Sequence, residues 1–98
     1  MTPAHRGRAR ALRRRIPYAH RRTLGNQARE LLAAGGSKEE VARQIATTLD
    51  ALLPLGAMGP LGVVLEAVDG VVLHLVALII IGEVERAQAR KAAGGQAP

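Results

Sequence analysis

Two groups of residues in this sequence have the types and spacing to do chemistry. One is a run of arginines near the amino terminus, and the other is a pair of carboxylates, Glu66 and Asp69, followed by His74. At these spacings the three side chains lie on one broad helical face, so the carboxylates could share a proton or bond to another helix. The spacings Glu-x-x-His and His-x-x-x-His, by which one helix binds a metal, are absent from the group. We therefore expect no catalytic residues, no cofactor and no metal site. Together with Gly70 and Ala77, the group is predicted to be a narrow stripe along which helices pack.

The arginines give the chain a strong asymmetry of charge. All nine basic residues among positions 1–29 are arginines, and the first acid is Glu30, so this part carries +9. Residues 30–98 hold five basic and eight acidic residues, a net charge of −3, which leaves +6 for the whole chain. A guanidinium group binds phosphate through two parallel hydrogen bonds, so the pattern indicates a site for the phosphates of nucleic acid or of lipid headgroups. The predicted anion-binding residues are Arg6, Arg8, Arg10, Arg13, Arg14, Arg15, Arg21 and Arg22.

The predicted domain organisation follows from the repulsion between like charges in the arginine-rich segment. Residues 1–22 are expected to be a basic arm that is disordered until an anionic partner orders it. The alternative is a solvated tail that only aids solubility. Residues 23–98 are predicted to be all-α, with a short helical hairpin followed by a long apolar helix at the carboxyl-terminal side.

The hairpin is predicted from local signals. The first helix covers residues 23–34, where three leucines and one alanine share a face, and Gly35 or Gly36 supplies the left-handed residue that ends it. Ser37 begins the second helix, and Glu40 completes a capping box with it. The apolar stripe of this second helix consists of Val41, Ile45, Leu49, Leu52 and Leu53.

Residues 31–42 resemble the first half of the helix-turn-helix DNA-binding modules of bacterial regulators. A Leu-rich helix, a glycine and a helix beginning Ser-x-x-Glu-[Ile/Val]-Ala recur in those modules, and the resemblance implies a recognition helix after a turn near residues 44–47. Here the helical period continues through residues 45–49 without a glycine, and the basic residues of a recognition helix are absent. The sequence therefore favours a plain helical hairpin.

The long helix is predicted over residues 61–90. Its part from 61 to 82 contains fourteen Leu, Ile or Val residues, and about 20 residues are enough to cross a bilayer. Asp69, together with Glu66 and His74, offsets most of the favourable insertion energy, so the segment alone is marginal as a membrane span. Such a helix is apolar on most of its faces, so two short amphipathic helices cannot cover it. Lipid or other copies of the chain are expected to do so, with residues 49–82 associating with a membrane.

These features predict a non-enzymatic helical assembly or structural protein. Its apolar helix associates with a membrane, and its arm binds an anionic surface, as in a subunit of a virus particle or of a membrane complex. The protein is expected to be a homo-oligomer or part of a larger assembly, with the arm on the cytoplasmic or interior side. One alternative is a soluble, cytoplasmic, oligomeric nucleic-acid-binding protein. Another is a pore-forming or lysis protein, in which Glu66, Asp69 and His74 line an aqueous path.

Overall fold

The computed structural model describes residues 3–52 and 70–95. This part of the chain consists of helices, turns and bends without a strand, so the predicted all-α class is confirmed. Its four helices are α1 (Pro3–Arg15), α2 (Tyr18–Ala33), α3 (Lys38–Leu52) and α4 (Gly70–Gly95). α4 packs against each of the other three, and α2 also packs against α3. The fold is therefore arranged around α4.

The core lies along the first half of α4. The buried apolar side chains of this helix are Val72, Leu73, Leu75, Val76, Ala77, Ile80, Ile81 and Val84. They form one cluster with the buried stripes of α1, α2 and α3. The prediction that the chain cannot cover its own apolar helix is wrong for the described residues, because it counted two covering helices where the structure has three. Leu78 and Ile79 are only half-buried, and Val71 is exposed.

The third covering helix is the predicted arm. Residues 3–15 form α1, and Ala9, Leu12 and Ile16, spaced three and four residues apart, are buried in the cluster that includes α4. A stripe of this spacing makes α1 amphipathic, so its arginines can keep their charged ends in water while the apolar face is covered. The prediction of a disordered arm is wrong for these residues, because burial of the stripe outweighs the repulsion between the charges.

The hairpin of α2 and α3 is confirmed, although α2 begins at Tyr18, five residues earlier than predicted. Its carboxyl-terminal end is a Schellman motif, in which Gly35 has a φ of +92°. The amide of Gly36 donates to the carbonyl of Leu31, and that of Gly35 donates to the carbonyl of Leu32, both at 3.0 Å. The glycine pair therefore ends the helix as the sequence indicates.

α3 also begins as its sequence indicates. The hydroxyl of Ser37 accepts a hydrogen bond from the amide of Glu40 at 3.2 Å, which caps the helix. α3 then continues without interruption to Leu52, as expected for a plain hairpin. Val41, Ala42, Ile45 and Leu49 are buried, Leu52 is half-buried, and Leu53 lies outside the described residues. An ion pair of 3.1 Å between Lys38 Nζ and Glu85 Oε1 joins the start of α3 to α4.

α4 differs from the predicted long apolar helix. It has 26 residues, but its buried apolar side chains end at Val84, and residues 86–94 are exposed and mostly polar or small. The predicted start of the helix, residues 61–69, lies outside the described residues. Within residues 3–52 and 70–95, no helix combines the length and the apolar character that crossing a membrane requires, so the predicted transmembrane helix is not found there.

Candidate anion-binding site

A cleft of about 720 Å³ lies between α2 and the second half of α4, and we call it the α2–α4 cleft. Six cationic side chains line it: Arg13, Arg21, Arg22, Arg29, Arg90 and Lys91. Glu83 is the single acid among the described lining residues, so the net charge of the cleft is +5. Gly25, Ile80 and Val84 provide apolar lining between these charges. A concave surface with apolar walls and charge of one sign concentrates the electric field and attracts the opposite charge.

The helical period of α2 places its part of the cleft beside the core. Arg22, Gly25, Asn26 and Arg29 follow at spacings of three, one and three residues, so they share one side of the helix. A Cβ atom at Gly25 would lie 3.9 Å from Val84 Cγ2, an ordinary contact, so α2 and α4 are neighbours at this point. The cleft therefore opens directly from the line along which the two helices pack.

Two of the arginines of α2 are oriented by neighbouring side chains. Arg29 Nη2 donates a hydrogen bond to Asn26 Oδ1. The guanidinium carbon of Arg21 lies 5.6 Å from the centre of the Tyr18 ring, within the range of a cation–π contact. Both contacts leave the positive charge uncompensated, because neither Asn26 nor Tyr18 supplies a negative charge.

Arg13 differs from the other cations of the cleft because it is paired. Its Nε donates to Glu83 Oε1 at 2.5 Å, and its Nη2 donates to Glu83 Oε2, which makes a bidentate ion pair between α1 and α4. The two side chains are 18% and 37% exposed. Among the described residues, Arg21, Arg22, Arg29, Arg90 and Lys91 form no ion pair, so these five are the uncompensated charges of the cleft.

A second basic cleft of about 520 Å³ lies between α1 and α4, and we call it the α1–α4 cleft. Its lining consists of Arg10, Arg13, Arg14, Ile79, Glu83 and Arg86. Arg14 Nε is within 3.4 Å of the carbonyl oxygen of Arg10, to which it donates. A Cβ atom at Gly82 would lie 3.5 Å from Arg86 Nη1, so the Arg86 side chain folds back along α4 over this glycine.

The structure divides the predicted anion-binding arginines among several surfaces. Arg10, Arg13, Arg14, Arg21 and Arg22 line the two basic clefts. Arg6 lies with Arg10 at a smaller notch of about 330 Å³ whose other lining residues are Ala9, Leu75, Leu78 and Ile79. Arg8 and Arg15 are exposed and line neither basic cleft.

The predicted anion-binding residues do not include four cationic residues of these clefts, which are Arg29, Arg86, Arg90 and Lys91. Arg29 follows Arg22 by seven residues, two helical turns, and this spacing is the signal that could have found it. The other three belong to α4 and are brought to the arginines of α1 and α2 only by tertiary packing.

The structure describes three of the five residues of the predicted packing stripe. Glu66 and Asp69 lie outside the described residues. Gly70 is exposed, His74 is half-buried, and Ala77 is fully buried in the core. Ala77 therefore packs within the chain itself, and the described part of the stripe does not form one continuous exposed face.

Comparisons with models of protein families, with curated proteins and with solved structures find no match to this chain. In the described residues the fold is all-α, and α1 and α2 meet α4 at the two basic clefts.

Proposed function

We propose that this protein is a non-enzymatic helical assembly protein that binds the phosphate backbone of nucleic acid in the α2–α4 cleft. The observation that carries the proposal is the convergence of cations from three helices on one concave surface with a single acid. Five uncompensated positive charges close together oppose folding through mutual repulsion. Packing of the helices does not require this cluster of cations, whereas binding of a polyanion that neutralises them does.

The side chains in the cleft favour phosphates over bases. Arginine matches the geometry of phosphate oxygens, and lysine supplies a point charge. Asn26 and Gln88 are the uncharged polar side chains among the described lining residues, and Tyr18 is the single aromatic residue of the whole sequence. Few contacts are therefore available for reading base edges or for stacking bases. We expect binding that depends little on nucleotide sequence and strongly on salt.

The shape of the site favours a chain of phosphates over a membrane surface. The cations line a concave cleft, a shape that matches a strand better than it matches a flat layer of headgroups. The exposed large hydrophobic residues of the described chain are Tyr18 and Val71. Val71 lies about 28 Å along α4 from Arg90, at a rise of about 1.5 Å per residue, so it does not belong to the cleft.

The salt dependence of binding has a magnitude that follows from the charge count. If the five uncompensated cations of the cleft contact five phosphates, the logarithm of the association constant should fall with the logarithm of salt concentration. These five contacts should contribute about −3.5 to the slope, since each phosphate of a single strand contributes about −0.7, and any contact outside the cleft adds to this value. Fluorescence anisotropy with a labelled oligothymidylate of about 20 nucleotides, at about 50 to 200 mM salt, measures this slope.

Two double variants with the same change of charge test the location of the site. The α2–α4 variant combines Arg22→Gln and Arg90→Gln, which are exposed residues on the two walls of the cleft. The control variant combines Arg8→Gln and Arg15→Gln, which are exposed on α1 outside both basic clefts. We expect the α2–α4 variant to bind about tenfold more weakly, with a slope reduced by about 1.4, and the control to change affinity about twofold or less.

Equal effects of the two variants would show that net charge, and not the cleft, determines binding. If the protein binds vesicles that contain phosphatidylserine but does not bind the oligonucleotide, the ligand of the cleft is a membrane surface and not nucleic acid. Thermal unfolding followed by circular dichroism checks that both variants remain folded.

A further inference from the structure

We infer that the ligand is a nucleic-acid strand whose phosphates run through both basic clefts and across the Arg13–Glu83 ion pair, and not a small phosphorylated molecule held in the α2–α4 cleft alone. This inference rests on the proposed function, because it specifies the length and course of the ligand of the same site. It depends on three observations, which are the shared residues of the clefts, the charges of the α1–α4 cleft and the geometry of the ion pair.

The two clefts are adjacent parts of one surface. Arg13 and Glu83 line both of them. On α4, Glu83, Arg86 and Arg90 follow at spacings of three and four residues and so form one stripe along the helix. Arg86 belongs to the α1–α4 cleft and Arg90 to the α2–α4 cleft, so a single stripe supplies cations to both.

The α1–α4 cleft carries charge that a ligand of the other cleft cannot neutralise. Arg10, Arg14 and Arg86 line it and form no ion pair among the described residues. A small anion in the α2–α4 cleft would leave these three cations uncompensated. With the five cations of the α2–α4 cleft they make eight, enough for a strand of about eight phosphates if each contacts one.

The ion pair between the clefts does not block such a strand. Glu83 takes the Nε hydrogen and one Nη2 hydrogen of Arg13, and a guanidinium group has five N–H donors in all. Three donors of Arg13 therefore remain for a phosphate oxygen that passes over the pair. Arg13 is held in place by Glu83, and it lines both clefts.

The test compares two ligand lengths in the protein as a full chain. A labelled oligothymidylate of about 4 nucleotides can occupy one cleft, and one of about 20 can occupy both. The α1–α4 variant combines Arg14→Gln and Arg86→Gln, two exposed residues outside any ion pair of the described chain. We expect this variant to bind the long strand about tenfold more weakly, with a slope reduced by about 1.4, and the short strand within about twofold of the wild type.

The wild type should also distinguish the two ligand lengths, through the salt dependence of its binding. Its slope should be about −5.6 for the long strand, through eight phosphates, and about −2 for the short one, whose nucleotides are joined by about three phosphates. The α2–α4 variant should weaken binding of both lengths, and the control variant should weaken neither by more than about twofold.

Three results would overturn the inference while leaving the proposed function intact. The first is an α1–α4 variant that binds the long strand like the control variant. The second is an equal loss for both lengths, and the third is a nucleoside triphosphate that binds the wild type as tightly as the long strand at the same salt concentration. If the wild type binds no oligonucleotide, or if the α2–α4 variant binds like the control, the proposed function fails and this inference fails with it.

Discussion

Leu12→Ala tests whether the basic amino-terminal segment belongs to the core. Leu12 is 2% exposed and lies in the cluster that α1 shares with α4. Truncating a buried leucine costs about 2–5 kcal/mol, through lost burial and through the cavity that remains. Among the described helices α1 packs against α4 alone, so it can shift into part of that cavity, and we expect a loss of about 2–3 kcal/mol.

This loss is large for a chain of 98 residues. At about 0.05–0.15 kcal/mol per residue, its free energy of unfolding should be about 5–15 kcal/mol. The expected lowering of the melting temperature is about 10–20 °C, because 1 kcal/mol corresponds to about 4–8 °C in a domain of this size. Urea and thermal unfolding, followed by far-ultraviolet circular dichroism, measure both quantities.

Arg8→Ala is the matched control for this experiment. Arg8 lies on the same helix and is exposed, and arginine and alanine are both good helix formers. We expect its free energy of unfolding to stay within about 0.5 kcal/mol of the wild type. If Leu12→Ala also stays within that range, α1 does not pack on α4 in solution, and the segment is the solvated tail that its charge alone predicts.

Two further predictions concern stability and are checked by urea denaturation. Gly35→Ala should lower the free energy of unfolding by about 1 kcal/mol or more, because its φ of +92° strains any side chain. By contrast, Gly7→Ala should raise the free energy of unfolding by about 0.5–1 kcal/mol, because Gly7 lies in an open position inside α1. Equal effects of the two changes would contradict the left-handed conformation of Gly35 and the helical conformation of Gly7. A double-mutant cycle on Arg13 and Glu83 should give a coupling energy of about 1 kcal/mol, larger than that of the more exposed ion pair between α3 and α4. A coupling near zero would remove the ion pair as a link between α1 and α4.

The hairpin was predictable because its signals are local. Gly35 and Gly36 end α2, and Ser37 with Glu40 begins α3, through hydrogen bonds between residues at most five positions apart. The geometry of such motifs depends on few neighbours, so the residue types are sufficient to indicate them.

The role of the arm was not predictable in the same way. Ala9, Leu12 and Ile16 are a sparse stripe in a segment dominated by arginine, and the charge pattern alone favours disorder. The stripe becomes a helix face because α4, more than fifty residues further along the chain, offers it an apolar surface. Through the same long-range contact α1 becomes the third helix that covers α4, which the hairpin alone does not cover.

The sequence indicates which residue type lines the candidate site, but not which individual arginines line it. Arginine in excess indicated a phosphate ligand, yet Arg8 and Arg15 fall outside the clefts, while Arg86 and Arg90 fall inside them. Whether an arginine joins the site depends on the side of its helix and on the packing of α1 and α2 against α4. Neither can be obtained from the charge pattern alone.

The arginines of α1 have more charge than the covering of α4 requires. Three apolar residues of this segment are buried in the core. A helix with the same apolar residues and with both basic and acidic residues on its outer face would cover α4 equally well, and its opposite charges would form favourable ion pairs along the helix. Instead no acid occurs before Glu30, and the repulsion is relieved within the described structure at one point, between Arg13 and Glu83. The fold therefore accounts for the apolar stripe of α1 but not for its charge. That charge gains a use if a phosphate chain neutralises it, so packing and ligand binding are separate demands on the two sides of one helix.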